Sequence, residues 1–512
     1  MKNLSLLFLV FVVAFQGLNA QQNITGGDDI NITSVPWQVL VNVNGNDNGG
    51  GSIVAPNFIL TAKHVVETSP GGSIYAPSAV KVYAGITCRS EKSSSNTFNV
   101  TNIIPHPTMD VALLQLSTNI TFNSNRNAIN WASTDNSLYN AGRAVRVSGW
   151  GWLTPFGNAF APCLQAVDVH IISNQDASNM LGTILAAYEM ATTGVGSIRQ
   201  GACNGDSGGP LTTLSNSNEP MLIGVVNWAL AGCSGNNGNS PSVYLRVSSI
   251  LNWIGTNIIN ISGPNAICSG SSSFSVSNAP NGFTWNSSSN LNISGSGTNV
   301  SVSTVSGANG AGWISINHGG VELARKNVWI GVPPTPLISG PSSVSTSSQP
   351  VTYYANIQGY TSSTITNYEW SWQSDPANPM YSYGNYINIY FNVAGSSRLS
   401  LRASNSCGYS PWQYLYINAG GSLYVTYYPN PVSDVLNIEV KTKDAVSARS
   451  IAAASYDIRL YDGQGTQLRQ TVTKGESNTQ FDVSGLPNGT YYLHVYDGVN
   501  AKPEMYQIIV KH

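Results

Sequence analysis

The chain is short of charge. Asp, Glu, Lys and Arg make up 9% of its 512 residues, well below the ~25% of an ordinary soluble domain. Its 22 basic and 24 acidic residues leave a formal net charge of −2. No dense basic surface can be assembled from that balance, which excludes a nucleic-acid partner. Metal-ligand spacing is missing as well. The six cysteines, at 88, 163, 203, 233, 268 and 407, form no CxxC pair, so zinc is not indicated. Ile86–Lys92, around Cys88, lacks the paired acids that calcium takes. No metal and no cofactor are expected. Long apolar runs are absent apart from Leu4–Phe15, itself shorter than the ~20 residues of a spanning helix. That run follows Lys2 and precedes Leu18-Asn19-Ala20, the layout of a secretory signal peptide over residues 1–20. An even cysteine count in an exported chain permits disulfides without assigning them.

Glycine and proline are plentiful, 50 and 25 residues. With frequent Ser, Asn and Thr they predict short strands and many turns, an all-β protein. Aromatic residues make up 10% and are spread along the chain, whereas disordered segments lack them. The length predicts about three to five domains. Residues 24–261 share one texture of strand-like runs, closed by a helical pattern in Ser248–Ile254. Beyond Ile261-Ser262-Gly263-Pro264 the chain turns Ser/Asn/Gly-rich, and Val332-Pro333-Pro334-Thr335-Pro336 reads as a stiff linker. Period-2 runs such as Tyr368–Trp372 and Ile387–Phe391 then predict a second half-buried sheet module.

The densest chemical signal is Gly205-Asp206-Ser207-Gly208-Gly209-Pro210. Glycine beside a serine lets backbone amides converge on a developing oxyanion. A serine hydroxyl is a poor nucleophile until a base takes its proton, so a histidine and an orienting acid must come from elsewhere. Among six histidines, His64 directly follows the apolar run Ile59-Leu60-Thr61-Ala62-Lys63. Asp110 opens the strand-like Val111–Leu116, and an acid entering an apolar strand must be paired once buried. His64, Asp110 and Ser207 come in that order, separated by 46 (110 − 64) and 97 (207 − 110) residues. This is the order and scale of a Ser-His-Asp triad. His106, next to two prolines, reads as structural.

On these motifs, residues 24–261 resemble the chymotrypsin/trypsin (S1-like) family of serine endopeptidases. The resemblance implies two packed six-stranded β-barrels with the site between them. It implies Ser207 as nucleophile, His64 as base and then acid, and Asp110 as the group that orients the imidazole. The backbone N–H groups of Gly205 and Ser207 would form the oxyanion hole. Ile24-Thr25-Gly26-Gly27 is similar to the family's activated N-terminus, so removal of residues 21–23 would free an amine at Ile24 to pair with Asp206. The cut would fall after Asn23, not after a basic residue. The implied disulfides are Cys203–Cys233, across the specificity pocket, and Cys88–Cys163, between neighbouring loops. The family's bridge beside the histidine would fall at Gly49 and Val65 and is missing here. Asn227 stands where the family usually has a serine, and Lys63 replaces a small residue and is expected to face solvent.

The implied pocket has Gly201 at its floor, followed by Ala202, with Trp228-Ala229 and Ser242 as walls. With no acid at the floor, Arg and Lys are not selected. Small to medium uncharged P1 residues (Ala, Val, Leu, Met) are expected, loosely, because one methylene is worth only about 1–3 kcal/mol in a pocket.

Residues 262–332 and 333–421 resemble the Ig-like or PKD-like β-sandwich modules of secreted bacterial proteins, with a spacer role as the plain expectation. Each holds one cysteine, Cys268 and Cys407; the two could pair or remain free. In residues 422–512, Tyr428-Pro429-Asn430-Pro431, Ile458-Arg459-Leu460-Tyr461-Asp462, Leu486-Pro487-Asn488-Gly489 and the Ile508–His512 tail occur in succession. That set resembles the C-terminal sorting domain of the Bacteroidetes type IX secretion system. Tight turns are expected at Asp462-Gly463 and Asn488-Gly489. The expected architecture is a trypsin-like double β-barrel, two β-sandwich modules and a small C-terminal β-sandwich. The expected function is a secreted, monomeric serine endopeptidase acting on proteins or peptides and exported by the type IX machinery. The alternatives are a catalytically inactive, protease-like surface adhesin, and an esterase using the same triad.

Overall fold

The computed structural model describes residues 27–153, 159–194, 200–230, 240–344, 347–357, 365–393, 395–419, 423–442, 455–474, 477–496 and 503–512. The expected signal peptide 1–20 and expected pro-segment 21–23, with Ile24 and Cys233, lie outside the described residues.

The first barrel runs Gln38–Val43, Asn46–Ala55, Phe58–Thr61, Ala112–Leu116, Thr97–Pro105 and Val80–Ala84, and the last strand pairs back on the first. Its opening hairpin turns on Asn44-Gly45, both at positive φ (51° and 86°), the backbone that an Asn-Gly pair adopts at least cost. The second barrel runs Ala144–Gly149, Gln165–Ile172, Glu189–Thr193, Ser242–Arg246, Pro220–Ala229 and Pro210–Leu214. It closes where Pro210–Leu214 pairs with Ala144–Gly149. Three smaller two-sheet units follow, so the chain is all-β, as its composition predicts.

The helix Leu251–Ile258 buries Leu251, Ile254, Gly255 and Ile258, positions that share one face at helical spacing. It lies between the barrels and the first sandwich. A Cβ on Gly255 would fall 2.6 Å from the Leu323 Cβ and closer still to the Leu323 carbonyl oxygen. Only glycine lets the helix backbone approach the strand Val321–Ile330 this closely. The Asn252 amide donates to the Glu322 carbonyl (2.8 Å) and the Thr134 hydroxyl to the Gly319 carbonyl (2.7 Å). The His318 ring is buried with its Nε2 3.0 Å from the Trp131 carbonyl oxygen. One apolar core runs from Val39, Ile59 and Leu114 in the first barrel, through Ile254 and Ile258, to Ile316, Leu323 and Val328 in the sandwich. The first sandwich is therefore packed onto the protease domain through a continuous core rather than hung from it by a linker.

Beyond residue 332 the contacts change character. The second sandwich packs Tyr353, Ile387 and Phe391 against Leu399, Leu415 and Ile417 in a core of its own. The C-terminal unit does the same with Leu436, Ile438, Leu460, Leu493 and Tyr506. A disulfide between Cys268 and Cys407 joins the two sandwiches, which decides between pairing and free thiols. Beside it the Asn405 amide donates to the Gly331 carbonyl (2.9 Å). Of the two expected turns in the C-terminal unit, the one at Asp462-Gly463 joins the paired strands Ser455–Tyr461 and Gln467–Lys474, and the one at Asn488-Gly489 joins no hairpin. Asp462 opens a longer loop in which its carboxylate accepts from the Gln464 and Thr466 N–H groups. Asn488-Gly489 begins a strand that lies in the other sheet from Ser477–Asp482. Among the described residues no helix is long and apolar enough to cross a membrane.

Candidate active site

The first barrel delivers His64 and Asp110 from adjacent strand ends. Phe58–Thr61 pairs with Ala112–Leu116, with Thr61 opposite Ala112. The chain then leaves the first strand in a 3-10 turn, Lys63–Val66, that carries His64. Asp110 holds this turn twice. One carboxylate oxygen accepts the His64 backbone N–H (2.9 Å) and the other meets His64 Nδ1 (2.7 Å). Burial raises the Asp110 carboxyl, but hydrogen bonding and charge from His64, with help from Lys63, outweigh it and leave the group below its usual range. A Nδ1–H fixed on Asp110 leaves Nε2 as the ring's free nitrogen.

Lys63 does not project into solvent. Its ammonium lies 3.6 Å from the Glu67 carboxylate one turn on, and Glu67, whose side chain is only 6% exposed, also accepts the Gly71 N–H. A buried carboxylate draws the lysine down. Gly49 and Val65 do face each other; a Cβ on Gly49 would fall 2.7 Å from a Val65 methyl. Next to them the Asn48 amide donates to the Val65 carbonyl (2.6 Å), tying the histidine turn to the neighbouring strand without a disulfide. His106 accepts the Thr108 and Met109 N–H groups through Nδ1 and sets its ring edge-on to Trp253 at 5.1 Å, a structural arrangement.

The second barrel supplies Ser207 on a glycine-rich turn pressed against the first. The Gly50 N–H donates to the Ser207 carbonyl (2.8 Å). Gly208 has φ +79°, and a Cβ there would fall 2.6 Å from the Gly50 carbonyl oxygen and 2.8 Å from the Ala62 nitrogen. This close approach brings Ser207 to the strand end that carries His64. Within the turn the N–H groups of Asp206, Gly208 and Gly209 bond Cys203, Val226 and Asp206 carbonyls. Those of Gly205 and Ser207 meet no acceptor among the described residues. Gly205 has φ +94°, a backbone that glycine adopts freely.

Asp206 is fully buried and accepts only two backbone N–H groups among the described residues, from Gly151 (2.8 Å) and Cys203 (2.9 Å). Burial pushes its carboxyl up to about 6 against those two bonds. A side chain on Gly149 or Gly151 would strike this carboxylate, so the glycines reserve its space.

Beside Ser207 lies a cavity of about 210 Å³ lined by Ala202, Cys203, Asn204, Val226, Asn227, Trp228 and Ala229. Gly201 and Ser242, the expected floor and far wall, do not line it. They press on each other instead: a Cβ on Gly201 would fall 2.8 Å from the Ser242 hydroxyl, which donates to the Ala202 carbonyl (3.3 Å). Trp228 is held by its indole N–H on the Glu189 carboxylate (2.9 Å). Sequence patterns gave no sign of Glu189 or Asn48, which reach the site through long-range packing, nor of Asn204, which lies three residues before Ser207 and lines the cavity. Asn227 sits where the strand register slips between Val226 and Trp228.

Disulfide bonds link Cys88 to Cys163 and engage Cys203. Near the first of these, Asp47 takes Arg89 (2.7 Å) and Lys92 (2.8 Å). Burial raises the Asp47 carboxyl, but these cations and Asn42 hold it below its usual range.

Comparison with known proteins agrees with this geometry. The family described as Trypsin matches residues 24–254, and the secretion system C-terminal sorting domain matches residues 426–511. Trypsin delta of Drosophila melanogaster is 33% identical over 244 residues, covering 46% of this chain and 88% of that protein. Trypsin beta of Drosophila erecta is 32% identical over 237 residues, 45% of this chain and 87% of that protein. The human transmembrane protease serine 5 is 32% identical over 239 residues, 45% of this chain and 50% of that protein. The sorting domain marks the chain for type IX export to the cell surface or extracellular space. With two closed barrels, the His64–Asp110 pair on the first and Ser207 beside a cavity on the second, the chain belongs to the trypsin family of serine endopeptidases.

Proposed function

We propose that the protein is a secreted endopeptidase that cleaves after small to medium uncharged residues by a Ser207–His64–Asp110 triad. The observation that carries this reading is the double grip of Asp110 on His64, through Nδ1 and the backbone N–H. It sets the tautomer in which Nε2 can take a proton. Ser207 Oγ attacks the scissile carbonyl as His64 takes its proton. The Gly205 and Ser207 N–H groups, with no acceptor of their own among the described residues, receive the oxyanion. His64 then protonates the leaving amine, and water resolves the acyl-enzyme by the same route.

The uncharged, compact cavity supports Ala, Val, Leu or Met at P1. Cleavage after Asn23 frees the Ile24 amine, which enters the second barrel to neutralise Asp206 and order the oxyanion donors. Cys203–Cys233 braces the pocket wall. The substrates are extracellular proteins or peptides, and the enzyme acts as a monomer.

The test is labelling of the secreted protein by a fluorophosphonate, read by mass spectrometry, with Ser207→Ala as control. Labelling confined to Ser207 on chains beginning at Ile24 is expected. Unlabelled chains that do begin at Ile24 would overturn the enzyme reading in favour of a binding protein. A panel of peptides differing only at P1 tests the specificity.

A further inference from the structure

The second sandwich carries a feature unrelated to proteolysis. One of its sheets consists of Leu337–Ser339, Ser347–Asn356, Tyr386–Phe391 and Met380–Ser382. Alternation sends Tyr353, Ile387, Ile389 and Phe391 into the core and therefore Tyr354, Tyr386, Asn388 and Tyr390 outward. Tyr381 and Tyr383 join them at the edge. Tyr354, Tyr381 and Tyr383 are 51%, 52% and 54% exposed, and they lie on one sheet face rather than scattered singly. The rings are organised. Tyr383 stacks on Tyr386 at 5.0 Å and 14°, Tyr354 lies 6.0 Å from Tyr386, and Tyr381 meets Tyr390 edge-on at 5.9 Å.

The turn carrying Tyr383 is also braced. The Trp370 indole N–H donates to the Gly384 carbonyl (2.9 Å), and the Tyr383 N–H to the Tyr386 carbonyl (2.9 Å). The Thr352 hydroxyl donates to Asn388 Oδ1 (2.8 Å), which turns the Asn388 amide N–H groups outward as donors.

The charge pattern selects the ligand. Between Leu337 and Phe391 the charged residues are Glu369 and Asp375. Neither belongs to this sheet: Glu369 pairs with Arg402 on the opposite one, and Asp375 caps the turn before Ala377. Single-stranded nucleic acid also stacks on aromatic platforms, but needs a basic groove along its backbone. Protein-binding hot spots are enriched in Trp and Arg as well as Tyr, and the strands of this sheet carry neither Trp nor Arg. An uncharged face of phenol rings, hydroxyls and amides instead complements a neutral sugar chain. Its C–H faces lie on the electron-rich ring faces, and its hydroxyls reach Asn388 and the tyrosine hydroxyls. β-1,4-linked chains present such flat C–H faces because their ring substituents are equatorial. The opposite sheet is the one that meets the sorting domain, through the Asn418 amide on the Met505 carbonyl and Tyr416 against Tyr492, so the tyrosine face is the free side of the sandwich.

We propose that this face binds neutral β-1,4-linked polysaccharide and holds the exported protease on a glycan-rich surface. The full chain carrying Ser207→Ala is tested for retention on microcrystalline cellulose and on colloidal chitin, with anionic alginate as contrast. Retention on cellulose or chitin that is insensitive to salt is expected. Replacing Tyr354, Tyr383 and Tyr386 together by Ala should lower it about tenfold or more, and replacing them by Phe should preserve most of it. The single Tyr381→Ala change, at an exposed edge position, should weaken it without affecting the fold. In an otherwise wild-type chain none of these changes should alter hydrolysis of a soluble peptide. The proposal fails if neither polysaccharide retains the protein, if the triple Ala variant with an unchanged thermal transition binds as tightly, or if retention is confined to alginate.

Discussion

The two barrels contribute to the site in different states of readiness. The first holds an assembled pair: Asp110 and His64 satisfy each other through two hydrogen bonds, and Asp110 lies below its usual range. The second holds an unfinished acid: Asp206 is fully buried with two backbone donors and is pushed up to about 6. Their supports differ as well. The first barrel shares a continuous core with the C-terminal helix and the first sandwich, whereas much of the second packs around its own cluster of Val147, Val169, Met190, Leu211 and Tyr244. The two carboxylates thus differ in both partner and burial: Asp110 is half-buried against an imidazole, and Asp206 is fully buried with no cation among the described residues. A charge-assisted partner stabilises the ionised form, and desolvation without one destabilises it. The half of the site that is buttressed is complete, and the half left to adjust is where a new charge would act.

The largest expected effect breaks the assembled half. Asp110→Asn should lower kcat by about 10⁴-fold, because the amide favours the wrong imidazole tautomer. KM should change little, and steady-state kinetics on a peptide substrate would check it.

Asp206→Asn should have opposite consequences before and after processing. In chains beginning at Ile24 it should cost roughly 10²–10³ in kcat, the scale of losing an oxyanion donor. In chains retaining Gln21–Asn23 it should stabilise the fold near neutral pH by up to about 3 kcal/mol. The reason lies in the folded carboxyl staying protonated to about pH 6, against the usual 3.8. Its favourable contribution is complete below the unfolded value and is lost as pH rises through 6. Thermal melts of the unprocessed chain should therefore decline between about pH 4 and 7, and the Asn variant should flatten that decline.

Support for the first barrel can be tested at Gly255. Gly255→Val forces side-chain atoms onto Leu323 and should cost about 1–3 kcal/mol in the full chain, measured by denaturant unfolding. The same change should cost little in a chain ending at residue 261, which lacks Leu323. The smallest effect concerns the histidine turn. Asn48→Ala removes the bond to the Val65 carbonyl and should cost about 0.5–1.5 kcal/mol.

Much of the site could be read from local sequence. Ser207 is framed by glycines, His64 ends an apolar strand and Asp110 begins another, and each pattern spans only a few residues. The assignments that failed or stayed open depended on distant partners. Lys63 looked solvent-bound because Glu67's burial is set by the whole barrel. Gly201 and Ser242, expected to line the pocket, sit beside each other, with the Ser242 hydroxyl donating to the Ala202 carbonyl. Asp462-Gly463 does turn the chain between paired strands, as its local pattern suggests, and only the size of the loop depends on the Asp462 carboxylate accepting the Gln464 and Thr466 N–H groups.

The amino-acid sequence by itself determined the all-β class, the export signals, the candidate triad and the likeness to a protease, because strand periodicity, turn residues and catalytic motifs are local. Only the tertiary structure decided that the first sandwich is built into the protease core, that Cys268 finds Cys407, that Asp206 is left without a cation among the described residues, and that five tyrosines share one open face. Each of these depends on contacts between residues far apart in the chain, and burial, close approach and desolvation exist only once the fold has brought them together.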